Sequence, residues 1–145
     1  MPLAQLALIV AALFAGAAIQ VAAAEHPARM VLDDEAALAH WKQAYRRGRI
    51  ILAILALAAG LLAFWVWWHS LNQLWLIGAL LMLANLPFTL LVILPVNRAL
   101  EAIPVGGGGP ASRELLVRWG RLHVIRADLG GTAALVMLIA FYWRV

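Results

Sequence analysis

Hydrophobic residues run in four long blocks along this chain, and the polar residues collect between them. Leu3 to Ala24 is 22 residues without a charge, Ile50 to Trp68 is 19, and Leu74 to Val96 is 23. The last block, Leu129 to Val145, is interrupted only by Arg144, and it reaches spanning length if it lengthens backward past Asp128. About 20 apolar residues in a helix cross the roughly 30 Å hydrocarbon layer of a bilayer. In lipid each span must satisfy its own backbone hydrogen bonds, so all four blocks are expected to be helices. The apolar pattern is continuous, not alternating, which argues against a membrane barrel. The expectation is an all-α integral membrane four-helix bundle, one domain over residues 1–145, with spans at about 3–24, 50–68, 74–96 and 124–143.

The polar segments predict smaller elements. Pro27 is expected to stop or turn the first helix. In the first loop, Glu25 to Gly48, Asp33 and Asp34 can cap a short interfacial helix with Ala36 to Tyr45 as its body. Leu38, Trp41, Ala44 and Tyr45 share one face of it, which can lie on the membrane or fold under the bundle. In the third loop, Pro104, the glycines Gly106 to Gly109 and Pro110 predict a flexible, poorly ordered hinge. Ser112 then caps a helix running to Trp143, 32 residues or about 48 Å, long enough to protrude from the membrane. Ala22-Ala23-Ala24 also resembles a signal-peptidase site. However, the amino end carries no Lys or Arg and the apolar run exceeds a signal core, so a retained helix is expected.

Composition agrees with lipid as the solvent. The chain is 66% hydrophobic and 12% charged, against roughly 45–50% and about 25% in soluble domains. A chain of this size cannot hide that excess in a core. It contains no cysteine, which removes disulfides, thiolate nucleophiles and cysteine-ligated metals. The net charge of +4 does not point to nucleic acid, because the basic residues sit between spans and no nucleic-acid module is present. Ten of the 11 Lys and Arg residues fall in the first and third loops or at their exits, and none in the second. The positive-inside rule then makes loops one and three cytoplasmic and both termini external, in a plasma or inner membrane. Trp65, Trp67, Trp68, Trp75, Tyr142 and Trp143 would form the outer aromatic belt.

Three polar clusters fall at the cytoplasmic end. The first is Glu25-His26-Pro27-Ala28-Arg29, which a polar helix terminus would also explain. The second is Trp41, Lys42, Tyr45, Arg46, Arg47 and Arg49, an ordinary basic flank or a means of holding an anion or phenolate. The third is Trp119, His123, Arg126 and Gly130, whose spacing puts them on one helical face. Such a stripe is costly in a membrane unless it faces protein or a cavity, and Gly130 would admit a neighbouring helix closely. Asp128 points elsewhere, with a stabilising partner on another helix as the plain expectation. Span three adds Asn85, Thr89 and Asn97 with Pro87 and Pro95, whose freed carbonyls need partners or line a pocket. Topology brings Glu25, His26, Asn97, Trp119, His123 and Arg126 to one depth, which makes them the candidate site. His26, His123 and Glu25 could bind iron, zinc or copper, and two histidines could ligate haem, but no spacing demands a metal. His40 and His69 read as isolated interfacial residues.

These clusters carry a resemblance. "EHPARM", "WKQAYRRG", "PFTLLVILPVNRALE" and "RELLVRWGRLHVIRADLGG" together resemble, in order and over nearly the whole chain, the membrane family named after the anthrone oxygenases. The matching positions are Glu25, His26, Pro27, Arg29, Trp41, Tyr45, Arg47, Pro87, Thr89, Pro95, Asn97, Trp119, His123 and Arg126. The glycine-rich hinge, and an Arg where a Lys often precedes the second span, depart from the family's pattern. The resemblance implies a four-span protein. In the family's best-known members it implies oxidation of an anthrone to an anthraquinone by molecular oxygen without an obvious cofactor.

The expected assignment follows from both readings. His123 or His26, with Glu25 nearby, would move a proton, and Arg126 and Arg29 would stabilise an enolate. Trp119, Tyr45, Asn97, Arg29 and Arg47 would hold a small hydrophobic aromatic ligand. Two other functions remain open at this level. One is binding or transport of a small hydrophobic molecule, metal or haem. The other is a structural or assembly role, homo-oligomerisation included, through Ala12-x-x-x-Gly16 and Ala56-x-x-x-Gly60.

Overall fold

A computed structural model of the chain describes residues 2–143; Arg144 and Val145, the end of the last apolar run, lie outside it. Four helices account for nearly all of it: α1, Pro2–Met30; α2, Asp34–Ser70; α3, Gln73–Ala102; and α4, Pro110–Tyr142. All four are long and apolar enough to cross a membrane, and the chain is an integral membrane protein. Each helix packs along its sequence neighbours, and α4 closes the ring against α1.

The inward faces are built mostly from small residues at three- and four-residue steps. In α1 they are Ala4, Ala7, Ala11, Phe14 and Ala18; in α2, Leu52, Ala56, Ala59, Ala63 and Val66; in α4, Ala127, Gly130, Ala133, Met137 and Ala140. The bulky Leu and Ile residues point outward, as at Leu6, Ile9, Leu13, Ile54, Leu57 and Leu61. Lipid is as apolar as leucine, so nothing drives large side chains inward; close backbone approach through small ones holds the helices together. Ala56 and Gly60 serve this packing within the chain, since a Cβ on Gly60 would stand 2.5 Å from Leu83.

Several expectations about element ends are corrected. The first loop holds no separate interfacial helix: residues from Asp34 run unbroken into the second span, because only Gly48 interrupts good helix formers. Asp33 does cap it, accepting from the Ala36 amide at 2.8 Å, and Ala37, Leu38 and Trp41 are buried under the bundle. α4 begins at Pro110, with Ser112 inside its first turn bonding back to the Gly109 backbone at 2.9 and 2.8 Å. Its first turns are accompanied, since α2 and the end of α3 extend with it and bury Leu116 beside Leu38 and Leu100. The glycine stretch is fastened: Glu35 accepts from the Gly106 and Gly108 amides at 2.7 and 2.8 Å. Arg113 is paired with Asp34, and Lys42 donates to the Ile103 carbonyl.

Pro27 does not end the first helix. A π turn at Val21–Glu25 precedes it, with the His26 amide bonding five residues back to Val21. A second π turn, Thr89–Ile93, precedes Pro95 in the same way, with Leu94 bonding to Thr89. A proline removes one amide and collides with a carbonyl one turn back; the widened turn relieves both and lets the helix continue. It also adds one residue to the inward repeat. Seven residues beyond buried Ala18 is Glu25, yet His26 takes the deeper position. Seven beyond buried Asn85 is Val92, yet Ile93 is buried and Val92 is not, which brings Val96, Asn97 and Leu100 inside.

Candidate functional site

The two π turns face the charged half of α4, and the polar residues they redirect meet its stripe. Arg29 is the hub. It is 1% exposed and donates to Glu25 at 2.5 Å, to His26 Nδ1 at 3.0 Å and to His40 Nδ1 at 3.0 Å. Its guanidinium also lies 5.5 Å from the Trp119 ring centre. Arginine only donates, so Nδ1 of His26 and of His40 must each accept. His40, exposed at its edge, is therefore part of this cluster and not an isolated interfacial residue.

Trp119 is the next layer. Its Nε1–H donates to Asn97 Oδ1 at 2.9 Å, and its ring stacks on His123 at 4.9 Å with 18° between planes. His26 is tilted against it at 5.3 Å. Trp41 meets it edge-on at 6.2 Å and is itself stacked on Tyr45 at 4.7 Å. Two glycines make room: a Cβ on Gly120 would stand 2.3 Å from His26 Nε2, and one on Gly130 the same distance from Phe14. The close approach expected at Gly130 is thus made by α1.

Part of this cluster borders a partly open cavity of about 80 Å³. Its wall includes Glu25, Arg29, Trp41, Tyr45, Asn97, Trp119, His123 and Arg126, with Gly48 and Arg49 also lining it. Trp41 Nε1, His123 Nε2 and Arg126 Nε are buried without a hydrogen-bond partner, and all three belong to this wall. Buried polar atoms are nearly always paired; of the five unpaired ones among the described residues, three belong to residues of this wall, and the other two, Trp67 Nε1 and Asn85 Oδ1, lie elsewhere. Arg126 lies 5.7 Å from the Phe14 ring and has no ion-pair partner among the described residues.

Of the expected site residues, His26 and Arg47 fall away from the cavity. His26 stands behind Trp119, its Nδ1 engaged by Arg29. Arg47 is exposed on α2, and Arg49, two residues on and about 200° around the helix, lines the space instead. Asp128 is exposed, with no ion pair among the described residues. Glu25, His26 and His123 do not assemble as metal ligands; no three His, Asp or Glu side chains do so among the described residues. Glu25 and His26 are turned to Arg29 instead. Gly120 and His40 were missed by sequence reasoning, and Arg49 was read only as a member of the basic cluster, with Arg47 chosen from it. The four-residue step from Leu116 through Gly120 could have flagged the first; nothing local signals His40 or separates Arg49 from Arg47.

A four-helix membrane bundle with a Trp–His–Arg stripe facing an Asn and a Tyr across a cavity defines the class. Within that class, the chain belongs to the anthrone oxygenase family, whose sequence model matches residues 41–136. The match covers Trp41, Tyr45, Asn97, Trp119, His123 and Arg126, while Glu25, His26 and Arg29 precede it. No curated protein and no solved structure matches the chain.

Proposed function

We propose that this chain oxidises a flat, lipid-soluble anthrone, phenol or related quinone-forming aromatic with molecular oxygen. The observation that carries the reading is that three of the residues lining one aromatic cavity, Trp41, His123 and Arg126, each hold a buried nitrogen without a hydrogen-bond partner. Trp41 and Arg126 can only donate there, so the fitting ligand atom is an oxygen, best an anionic one.

His123 Nε2 takes the proton from the acidic ring carbon, as a general base. The charge moves onto the ring oxygen and is met by Arg126 in a water-poor site, where a fixed cation acts most strongly. The electron-rich enolate then passes electrons to dioxygen and forms a carbon–oxygen bond at the deprotonated carbon. Breaking the oxygen–oxygen bond, with loss of the second hydrogen from that carbon, leaves a carbonyl and releases water. The substrate CH2 becomes C=O, one oxygen atom is retained and the other leaves as water, so no further reductant is needed. Asn97 holds Trp119, and Trp119 with Tyr45 flanks the ring. The space is about 80 Å³, less than the roughly 150 Å³ that holds benzene. It therefore takes the reacting edge, and the rest of the ring system lies along the mouth.

Loops one and three and their exits carry ten of the 11 Lys and Arg residues, which supports a cytoplasmic position for this end and external termini. The test is oxygen uptake and quinone absorbance with anthrone and detergent-purified protein, with metal analysis on the same sample. His123→Ala is expected to lose turnover, while His69→Ala, at the opposite end, keeps it. Unchanged turnover in the His123 variant would sink the assignment. A metal near one per chain would make the reaction metal-assisted instead.

A further inference from the structure

Three arginines line the cavity, Arg29, Arg49 and Arg126, against one carboxylate, Glu25. That carboxylate is committed: it pairs with Arg29 at 2.5 Å. Neither Arg49 nor Arg126 has an ion-pair partner among the described residues. Two uncompensated cations from different helices therefore border one small space. A single enolate oxygen answers only one of them. Arg126 is buried and sits beside His123, where charge develops. Arg49 is exposed at the rim, with its guanidinium 5.3 Å from the Tyr45 ring centre. Stacking of this kind holds the planar cation while leaving its N–H groups free at the edge. Exposed Arg46, three residues back on α2, adds positive potential near the entrance.

We propose that Arg49 forms a second anion subsite at the mouth, which takes a carboxylate carried on the same aromatic system whose ring oxygen meets Arg126. The preferred substrate is then an aromatic acid and not a neutral ring. The planar fork of Arg49 suits a carboxylate in two-point contact, and Tyr45 beneath it suits the ring that bears one. The choice of ring rests on the oxidation reading above, but binding can be read without turnover.

The experiment measures quenching of tryptophan fluorescence by anthraquinone-2-carboxylate and by its uncharged carboxamide, in neutral detergent. Wild type should bind the carboxylate roughly tenfold more tightly than the amide. Arg49→Gln should bring the two affinities together, and Arg47→Gln, outside the cavity, should keep the preference. Equal affinities in wild type, or a preference surviving in the Arg49 variant, overturns the subsite. Loss of the preference on adding phosphatidylglycerol assigns Arg49 to lipid headgroups and overturns it as well. A carboxylate preference that depends on Arg49, in a protein that oxidises no anthrone, upholds the subsite and removes the oxidation reading.

Discussion

Trp119 lies flat on His123, ring centres 4.9 Å apart, while its indole N–H is held by Asn97 of another helix at 2.9 Å. The stacking follows from the four-residue spacing along α4, which superposes side chains one turn apart. The hydrogen bond does not follow from local spacing. It exists because the π turn at Thr89–Ile93 carries Asn97 to the inner face of α3. One fixes which residues lie together, and the other fixes how the aromatic wall of the cavity is angled.

Asn97→Leu should therefore disturb the site without removing any residue proposed to react. It strands a buried indole N–H, at a cost of about 1–3 kcal/mol. Thermal unfolding should shift down accordingly, and turnover should fall, with His123 still present. Wild-type stability and turnover in this variant would show that Trp119 keeps its position without the bond.

Gly120→Ala places a methyl 2.3 Å from the His26 ring, which also packs against Trp119 at 5.3 Å. The ring must move, and overpacking of this kind costs about 1–3 kcal/mol. Gly131→Ala is the matched control, since nothing stands within 4 Å of its added carbon. Comparison of the two midpoints in one detergent checks the expectation: a lower midpoint for Gly120→Ala only.

Arg29→Lys keeps the charge and loses the fork. Lysine cannot serve Glu25, His26 and His40 together from one planar group. Leaving part of this buried hub unpaired should cost about 2–4 kcal/mol, tempered by the 27% exposure of Glu25. Urea titration should show a lower midpoint, larger than that produced by Arg47→Lys on the exposed face of α2.

Glu35→Gln tests the fastening of the glycine stretch. The carboxylate accepts from both Gly106 and Gly108, and a carboxamide can serve both only by turning its NH2 toward a donor. Limited proteolysis should cut the variant faster between residues 103 and 109, with the rest of the chain intact. Equal cleavage rates would mean that Arg113 with Asp34 suffices to hold the loop.

Legibility in the sequence tracked periodicity. The stripe Trp119, His123, Arg126 and Gly130 was readable because α4 is uninterrupted there, so spacing alone gives the inner face. The same arithmetic misplaces α1 and α3, where each widened turn shifts the inward repeat by one residue. It reads Pro27 as a stop, though the helix passes through it, and it gives Glu25 the position that His26 holds. Arg47 and Arg49 looked equivalent in a run of basic residues; only the docking of α2 against α1, α3 and α4 separates the rim from the exposed face. His40 was invisible because its partner, Arg29, comes from another helix.

The sequence by itself determined that this chain lies in lipid, in four helices, with its candidate site residues gathered at the basic end. Those conclusions need only block length, hydropathy and charge, which are additive along the chain. The tertiary structure decided which of the polar residues meet, that Arg29 is occupied by Glu25, His26 and His40, and that Arg126 and His123 are left open to a cavity. Those outcomes depend on the rotation of each helix about its axis, and a single added residue in a turn changes that rotation by about 100°.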